Sequence, residues 1–339
     1  MLKKIFIIII CLVLALFSIY LFEVYAPPQS SRQEVNFSIV KGSSVKQISQ
    51  NLEAVGLIRS SNFFKYYVWL KNKQTDLKAG EYILNPKMSL KKIVAILAGG
   101  QALSNEQAIT IIEGWNIDDI NNYFQKNNIF SDDSFANLAK AKLSDWKLSI
   151  DKPEFLAQAP SDANLEGFLF PDTYRIFKDA TVDDVIIKML KNFDSKLTKQ
   201  IRDDIARENK SIYQIITMAS LIEKEVRTSE DMQIVSGIFW DRITNGQALE
   251  SCATLAYILG VKKIQYSAAD TQVDSSYNTY KNLGLPPGPI TNPGLNSIKA
   301  AIHPKYTEYN YFLSRPDTGE TVYSRALDEH NRKKAKYLK

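Results

Sequence analysis

Glu223 and Glu225 are the ionisable residues whose setting could do chemistry. They close the run Ser211 to Val226, SIYQIITMASLIEKEV, which has the period of an amphipathic helix. At about 100° per residue, Ile212, Ile215, Ile216, Ala219, Ile222 and Val226 gather on one side, and Glu223 falls among them. Glu225 is turned roughly 200° away, toward Gln214 and Met218 at the polar edge, so the two acids are not expected to share one site. A carboxyl on an apolar stripe must be paired, protonated or beside a cleft, and burial moves such a group toward proton donation at neutral pH. The same pattern also fits a structural acid satisfied by an arginine or by backbone amides.

Other chemistries find little support. The chain has 2 histidines, His303 and His330, with no HExxH or CxxC spacing, so no metal site is expected and no cofactor is called for. Of the 2 cysteines, Cys11 lies in an apolar N-terminal segment and Cys252 far along the chain, so no disulfide is expected, and no histidine motif ties Cys252 to nucleophilic work. A net charge of +5 without an aromatic-interleaved basic patch argues against nucleic acid as a partner. The basic tail Arg332, Lys333, Lys334, Lys336 and Lys339 reads as a solvated helix end or as a contact for an anionic polymer or membrane surface.

With 339 residues and 45% hydrophobic content, the chain can hold two domains besides an anchor. Residues 5–22 form an almost unbroken apolar stretch, preceded by Lys3 and Lys4 and followed by Glu23. That length spans a bilayer, and the positive-inside bias places residues 1–4 in the cytoplasm and everything after residue 26 outside. Val24-Tyr25-Ala26 would suit a signal peptidase, but Pro27 and Pro28 argue for a retained anchor followed by a spacer, residues 23–34.

Glu223 must be positioned by elements spread along the whole chain. Val35–Val40 alternates as a strand, Gly42 turns it, and Ser43 or Ser44 caps a helix burying Val45, Ile48 and Leu52. A second helix starts at Ser60, Lys78–Leu84 reads as a return strand, and Ser89 caps a further helix. This order of short strands around two helices resembles a LysM-like module, a small fold that grips N-acetyl sugars, over residues 35–103. The pattern recurs at a constant offset of 72 residues: Phe37 with Ile109, Gly42 with Gly114, Val45 with Ile117, Ile48 with Ile120 and Phe63 with Phe135. Residues 109–175 thus read as a second copy inside a larger domain, 104–339, unless two generic strand-turn-helix units agree by chance. Residues 137–164 look like a polar insertion, helical in part. Amphipathic helices are expected at 181–193 and 230–242, then a Gly/Pro-rich loop, a short helix over 295–301, paired strands at 309–313 and 321–323, and a last helix from Ala326. The fold class expected is α+β: an N-terminal transmembrane helix, a LysM-like small domain and a mixed α+β catalytic domain.

Four motifs in order carry a resemblance: Leu165-Glu-Gly-Phe-Leu-Phe-Pro-Asp-Thr-Tyr174, Ala219-Ser-Leu-Ile-Glu-Lys-Glu225, Tyr277-Asn-Thr-Tyr280 with Gly284-Leu-Pro-Pro-Gly-Pro-Ile290 and Asn292-Pro-Gly294, and Ala300-Ala-Ile-His-Pro304. Over essentially the whole chain it is similar to the endolytic murein transglycosylase family (YceG-like). One departure stands out: many members have Gln and then Asp-Pro-Thr where this chain reads Leu249-Glu-Ser-Cys-Ala-Thr-Leu255, leaving Thr254 as the retained position.

The resemblance implies a lytic transglycosylase in the bacterial cytoplasmic (inner) membrane, single-pass, with its catalytic domain extracytoplasmic. It would cleave the MurNAc-GlcNAc bond of nascent peptidoglycan glycan strands to leave 1,6-anhydro-MurNAc ends, and cell-wall synthases would be partners. The catalytic acid it implies is Glu223. One carboxyl suffices for that reaction, because no water need be activated by a second. Tyr277, Asn278, Thr279 and Tyr280 are candidates to bind the sugar through rings, amide and hydroxyl, although a Tyr-rich strand packed on the core reads the same way. Gly288, in the proline-stiffened loop, would let backbone approach the ligand, and Glu166 is a second carboxylate for the cleft or a partner of Arg175. Three rivals remain: a membrane-tethered glycan-binding scaffold without activity, which a buried, salt-bridged Glu223 would favour; a hydrolase, which needs a carboxylate facing Glu223; and a cytoplasmic lyase, which the anchor makes hard to sustain.

Overall fold

The computed structural model describes residues 2–28, 34–99 and 106–338. It divides into two compact units, residues 1–107 with 177–179, and residues 108–176 with 180–339. Within the first unit α1 (Leu2–Tyr25) precedes β1 (Val35–Ile39), α2 (Val45–Ala54), α3 (Ser61–Leu70), β2 (Gly80–Leu84) and α4 (Leu90–Gly99). The segment 5–22 expected to span a membrane lies inside α1. Its side chains at 5, 7–10 and 16 are outside the described residues, as are spacer residues 29–33, and among the described residues no helix is long and apolar enough to cross a membrane.

β1 and β2 pair antiparallel, Phe37 opposite Tyr82 and Ile39 opposite Gly80. Their alternation turns Phe37, Ile39, Tyr82 and Leu84 toward Ile48, Leu52, Phe64, Val68, Ile93 and Leu97, a closed apolar core. Of the two serines offered as caps, Ser44 does the work: its Oγ accepts from Gln47 N, while Ser44 N donates to Gln47 Oε1.

The second unit opens within β3 (Glu106–Thr110), which shares a two-stranded sheet with β4 (Thr173–Phe177), with α5 (Ile117–Lys126) and α6 (Ser134–Ala139) between them in sequence. Strand, glycine turn, box-capped helix, second helix and return strand thus occur in both units. Asn116 and Asp119 form the second capping box, with Asp119 N donating to Asn116 Oδ1 at 2.7 Å. Residues 140–164 hold only two short 3-10 turns, yet Leu143, Leu148, Phe155 and Leu156 are buried, so apolar anchors fix this polar-looking insertion.

The remainder is mainly helical: α7 (Val182–Lys196), α8 (Lys199–Arg207), α9 (Ile212–Glu225), α10 (Ser229–Thr244), α11 (Cys252–Leu259) and α12 (Leu295–Ile302), then the antiparallel pair β5 (Tyr311–Ser314) and β6 (Thr321–Ser324), and α13 (Leu327–Tyr337). The helices α8 and α11 lay outside the sequence reading. α8 is mostly charged, and α11 lacks a polar face to give it a period.

α9 corrects one expectation. It starts where Ser211 caps it, Ser211 Oγ accepting from Gln214 N at 3.1 Å, and it packs against α8, α10, α11 and α12. With neighbours all round, every residue from Ile215 to Ile222 is buried, Thr217, Met218 and Ser220 included. The helix therefore has no polar edge in its middle turns, and the side to which an acid points is decided by what meets its C-terminal turn.

Candidate active site

Glu223 is part-buried in the last turn of α9, where exposed carbonyls make a carboxylate unwelcome. The opposite pole of another helix offsets this. Gly294 is the N-cap residue of α12 and has no side chain to serve its own orphan amides. Glu223 serves them instead: its Oε2 accepts from Gly294 N at 3.0 Å and from Ser297 Oγ at 2.5 Å. Oε1 has no protein hydrogen bond among the described residues, so one oxygen is held and the other is free to work.

The loop Gly284–Gly294 runs beside α9 in the same direction. Tyr213 OH donates to Pro287 O, Ile290 N donates to Ser220 Oγ at 3.1 Å, and Gly294 reaches Glu223. Pro289 fills the space over Gly167, where a Cβ would lie 2.5 Å from its ring, so Gly167 in the Leu165–Tyr174 run permits this approach.

Asn292 ties a third segment to the same place. Its backbone N donates to Trp115 O at 2.8 Å, its Nδ2 donates to Trp115 O and Glu166 Oε1, its Oδ1 accepts from Leu169 N, and its carbonyl accepts from Gly114 N at 2.9 Å. Lys224 Nζ donates to Gly114 O at 3.0 Å from the other side. The turn between β3 and α5 is thereby held against the end of α9, and a Cβ on Gly114, at φ 79°, would touch Glu223 Cγ at 3.4 Å. This turn brings in Glu113, whose Oε1 lies 2.0 Å from where a Cβ of Gly294 would be. Burial first, and then the charge of Glu223, raises the Glu113 pKa above the ordinary carboxyl value.

Family membership can be judged against this geometry. The model of the YceG-like family matches residues 37–336. The chain belongs to the YceG-like family. It is 34% identical over 320 residues to the endolytic murein transglycosylase of Bacillus subtilis (strain 168), covering 91% of this chain and 86% of that one. It is 31% identical over 328 residues to the protein so named in Streptococcus pneumoniae serotype 2 (strain D39), of which it spans 59%. A crystal structure of a yceG-like protein from Listeria monocytogenes matches with a TM-score of 0.54 at 33% identity, covering 89% of this chain and 99% of that one.

In this YceG-like chain the other residues singled out from the sequence make contacts of their own, none of them a hydrogen bond to Glu223. Asn278 and Thr279 are buried and their polar atoms are spent: Asn278 Nδ2 donates to Thr271 O and Val273 O, and Thr279 Oγ1 accepts from Ser251 N. The retained Thr254 shares this cluster, its Oγ1 3.0 Å from that of Thr279. Tyr280 OH lies 3.1 Å from Cys252 Sγ, and Tyr277 packs on Tyr257 with ring centroids 5.2 Å apart. Gly288 is buried where a Cβ would meet Tyr213 OH at 2.5 Å and Tyr277 OH at 3.2 Å, so it makes room for protein. Tyr213 and Glu223 are ten residues apart on α9, about 15 Å along its axis, so the contact of Tyr277 and Gly288 with Tyr213 lies toward the other end of α9 from the acid, whereas Thr279 and Tyr280 sit by Ser251 and Cys252, next to Glu225.

Glu166, the second carboxylate expected for the cleft, is internal, and Glu225, expected apart from Glu223, is half-buried with partners of its own. Glu166 is 4% exposed, accepts from Ile117 N and Asn292 Nδ2, and makes no pair with Arg175; burial pushes its pKa up to about 8. It is a joint between the Asn292 loop and the N-terminus of α5. Glu225 accepts from Ser251 Oγ and Ala253 N at the start of α11, and burial raises its pKa. Glu223 and Glu225 thus have separate partners, as the wheel implied, but Glu225 is enclosed by α11 and does not lie on an open edge.

Glu113, Gly294 as N-cap, and Ser297 are functional positions not assigned from the sequence. A signal existed for the first, an acid immediately before the glycine that the internal repeat aligned with Gly42. For Ser297 there was none, since it is one small residue on a short helix.

Proposed function

We propose that this chain is a membrane-anchored endolytic lytic transglycosylase of peptidoglycan with Glu223 as its acid and base. The observation that carries the reading is a glutamate fixed through Oε2 by Gly294 and Ser297 with Oε1 left unbonded, in a chain whose relatives are named endolytic murein transglycosylases. In its protonated form Glu223 gives a proton to the oxygen linking MurNAc C1 to GlcNAc as that bond breaks and the electron pair leaves with oxygen. The C6 hydroxyl of the same MurNAc then bonds to C1, and its proton passes to Glu223. The products are a 1,6-anhydro-MurNAc end and a new GlcNAc 4-hydroxyl, and no water is consumed.

On this reading α1 is the anchor, with the N-terminus cytoplasmic and the rest of the chain outside, where glycan strands are made and cell-wall synthases act. The β1-α2-α3-β2 unit is then a LysM-like module holding the strand. Its support is the apolar composition of residues 5–22 with Lys3 and Lys4 before them, and the antiparallel pairing around two capped helices.

Glu113 favours a second reading, a hydrolase in which one acid protonates and the other activates water. Mass spectrometry of products from purified peptidoglycan separates the two. Anhydro ends are expected from the wild type, and Glu223→Gln should lower their rate by on the order of 1,000-fold with the fold retained. Glu225→Gln should keep the product and lose stability, because it disturbs the bonds to Ser251 and Ala253. Reducing ends from the wild type would sink the transglycosylase reading, and a fully active Glu223→Gln protein would sink the residue assignment.

A further inference from the structure

Glu113 is exposed as a residue, although its carboxyl end is partly shielded against Gly294, and among the described residues it has no hydrogen-bond or ion-pair partner. The nearby cation does not serve it: Lys224 spends its ammonium on Gly114 O. Its carboxyl instead rests over Gly294, where a Cβ would lie 2.0 Å from Oε1 and 2.9 Å from Oε2, and the N–H of that glycine binds Glu223. An unpaired acid beside a like charge contributes nothing to stability. It stays there because both peptides flanking Gly114 are tied down, by Asn292 and by Lys224.

The reaction proposed above has a use for such a group. As the bond to the leaving sugar breaks, positive charge develops on C1 and the ring oxygen before the C6 oxygen arrives. Glu223 has just given up a proton and must receive another, so its charge alternates. A fixed neighbouring carboxylate that takes no part in proton transfer stabilises the cationic centre throughout.

We propose that Glu113 is a second catalytic residue of this centre, touching the MurNAc ring as a carboxylate and stabilising the positive charge at C1 and the ring oxygen while Glu223 moves both protons. The assignment rests on the transglycosylase reading. No bond to Glu113 forms or breaks, and its charge is the same before and after turnover.

The test is steady-state kinetics of the full chain on purified uncrosslinked glycan strands, with product masses and a thermal melt for each variant. Glu113→Gln is expected to lower kcat on the order of 100-fold, with KM within a few-fold, anhydro ends still the product, and a Tm equal to or above wild type because a like charge has gone. Glu113→Asp, which restores the charge on a shorter arm, is expected to recover part of that loss, whereas Glu113→Ala recovers none. Anhydro ends from the wild type with unchanged kcat in Glu113→Gln would overturn the role of Glu113 alone. So would a loss of kcat that tracks a fall in Tm and is not relieved by Asp. Reducing ends from the wild type would overturn the transglycosylase reading itself.

Discussion

In the first unit the turn Val40-Lys41-Gly42-Ser43-Ser44 leads from β1 into α2; in the second, Ile112-Glu113-Gly114-Trp115-Asn116 leads from β3 into α5. Both pass through a glycine at positive φ, 89° at Gly42 and 79° at Gly114, and both end in a capping box. Around Gly42 nothing lies within 4 Å of where a Cβ would be, and Lys41 points to solvent. Around Gly114 the turn is buried against Glu223 and Lys224 and bonded to Asn292. One backbone device thus serves as a plain connection in one place and presents an acid in the other. The difference arises from what packs over the turn.

The largest effect should come from exchanging the charged residues of the two turns. Glu113→Lys puts an ammonium beside Glu223 that would pair with it, and activity should fall by on the order of 1,000-fold, the scale of losing the acid itself. Lys41→Glu should leave turnover and stability unchanged. Initial rates of anhydro-end formation for the two variants decide this, and equal losses would erase the contrast between the turns.

A smaller effect separates how the turns are supported. Apart from Ser49 and the hydroxyls of Tyr67 and Tyr82, no polar side chain is buried among the described residues of the first unit, whereas the carboxyl of Glu166 is buried under the second turn. Its carboxyl is raised from 4.5 to about 8 in the folded protein. Between those values the folded state holds a proton that the unfolded state has lost, so stability falls as pH rises through that window, by at most about 1.4 kcal/mol per pH unit. Denaturant unfolding from pH 5 to 9 should show the slope in the wild type and a flatter one in Glu166→Gln. Identical slopes would remove Glu166 as its source.

The smallest effect is the most discriminating. Gly42→Ala and Gly114→Ala should each cost roughly 1–2 kcal/mol, because both place a side chain at positive φ. Only Gly114→Ala should also slow catalysis, since its methyl meets Glu223 Cγ at 3.4 Å. Matched thermal melts with divergent rates are the expected outcome, and an unaffected rate in Gly114→Ala would mean that the second turn is as bare in solution as the first.

Much of this architecture was legible in the chain. Periodicity and caps placed the helices headed by Ser44, Ser60, Thr181 and Ser211, and the offset of 72 residues drew Gly42 and Gly114 into register. These are local properties, set by neighbours three or four residues away. The candidate binding run Tyr277–Tyr280 was ambiguous for the opposite reason, since the same tyrosines and amides suit a sugar face or a buried hydrogen-bond cluster, and only the distant Ser251, Thr271 and Val273 draw Asn278 and Thr279 into such a cluster.

By itself the sequence determined most of the order of elements, the apolar N-terminal segment, the 72-residue recurrence and the separation of Glu223 from Glu225 around one helix, because composition, period and spacing are properties of a linear chain. Tertiary structure alone decided that Glu223 is held by the start of α12, that Glu225 and Glu166 are enclosed, and that Glu113 comes to lie beside Glu223. Each of those outcomes depends on contacts between segments 26 to 126 residues apart. Whether a carboxylate is spent or left free is fixed by the donors that the fold brings to it, and a distant donor leaves no periodic trace in the sequence.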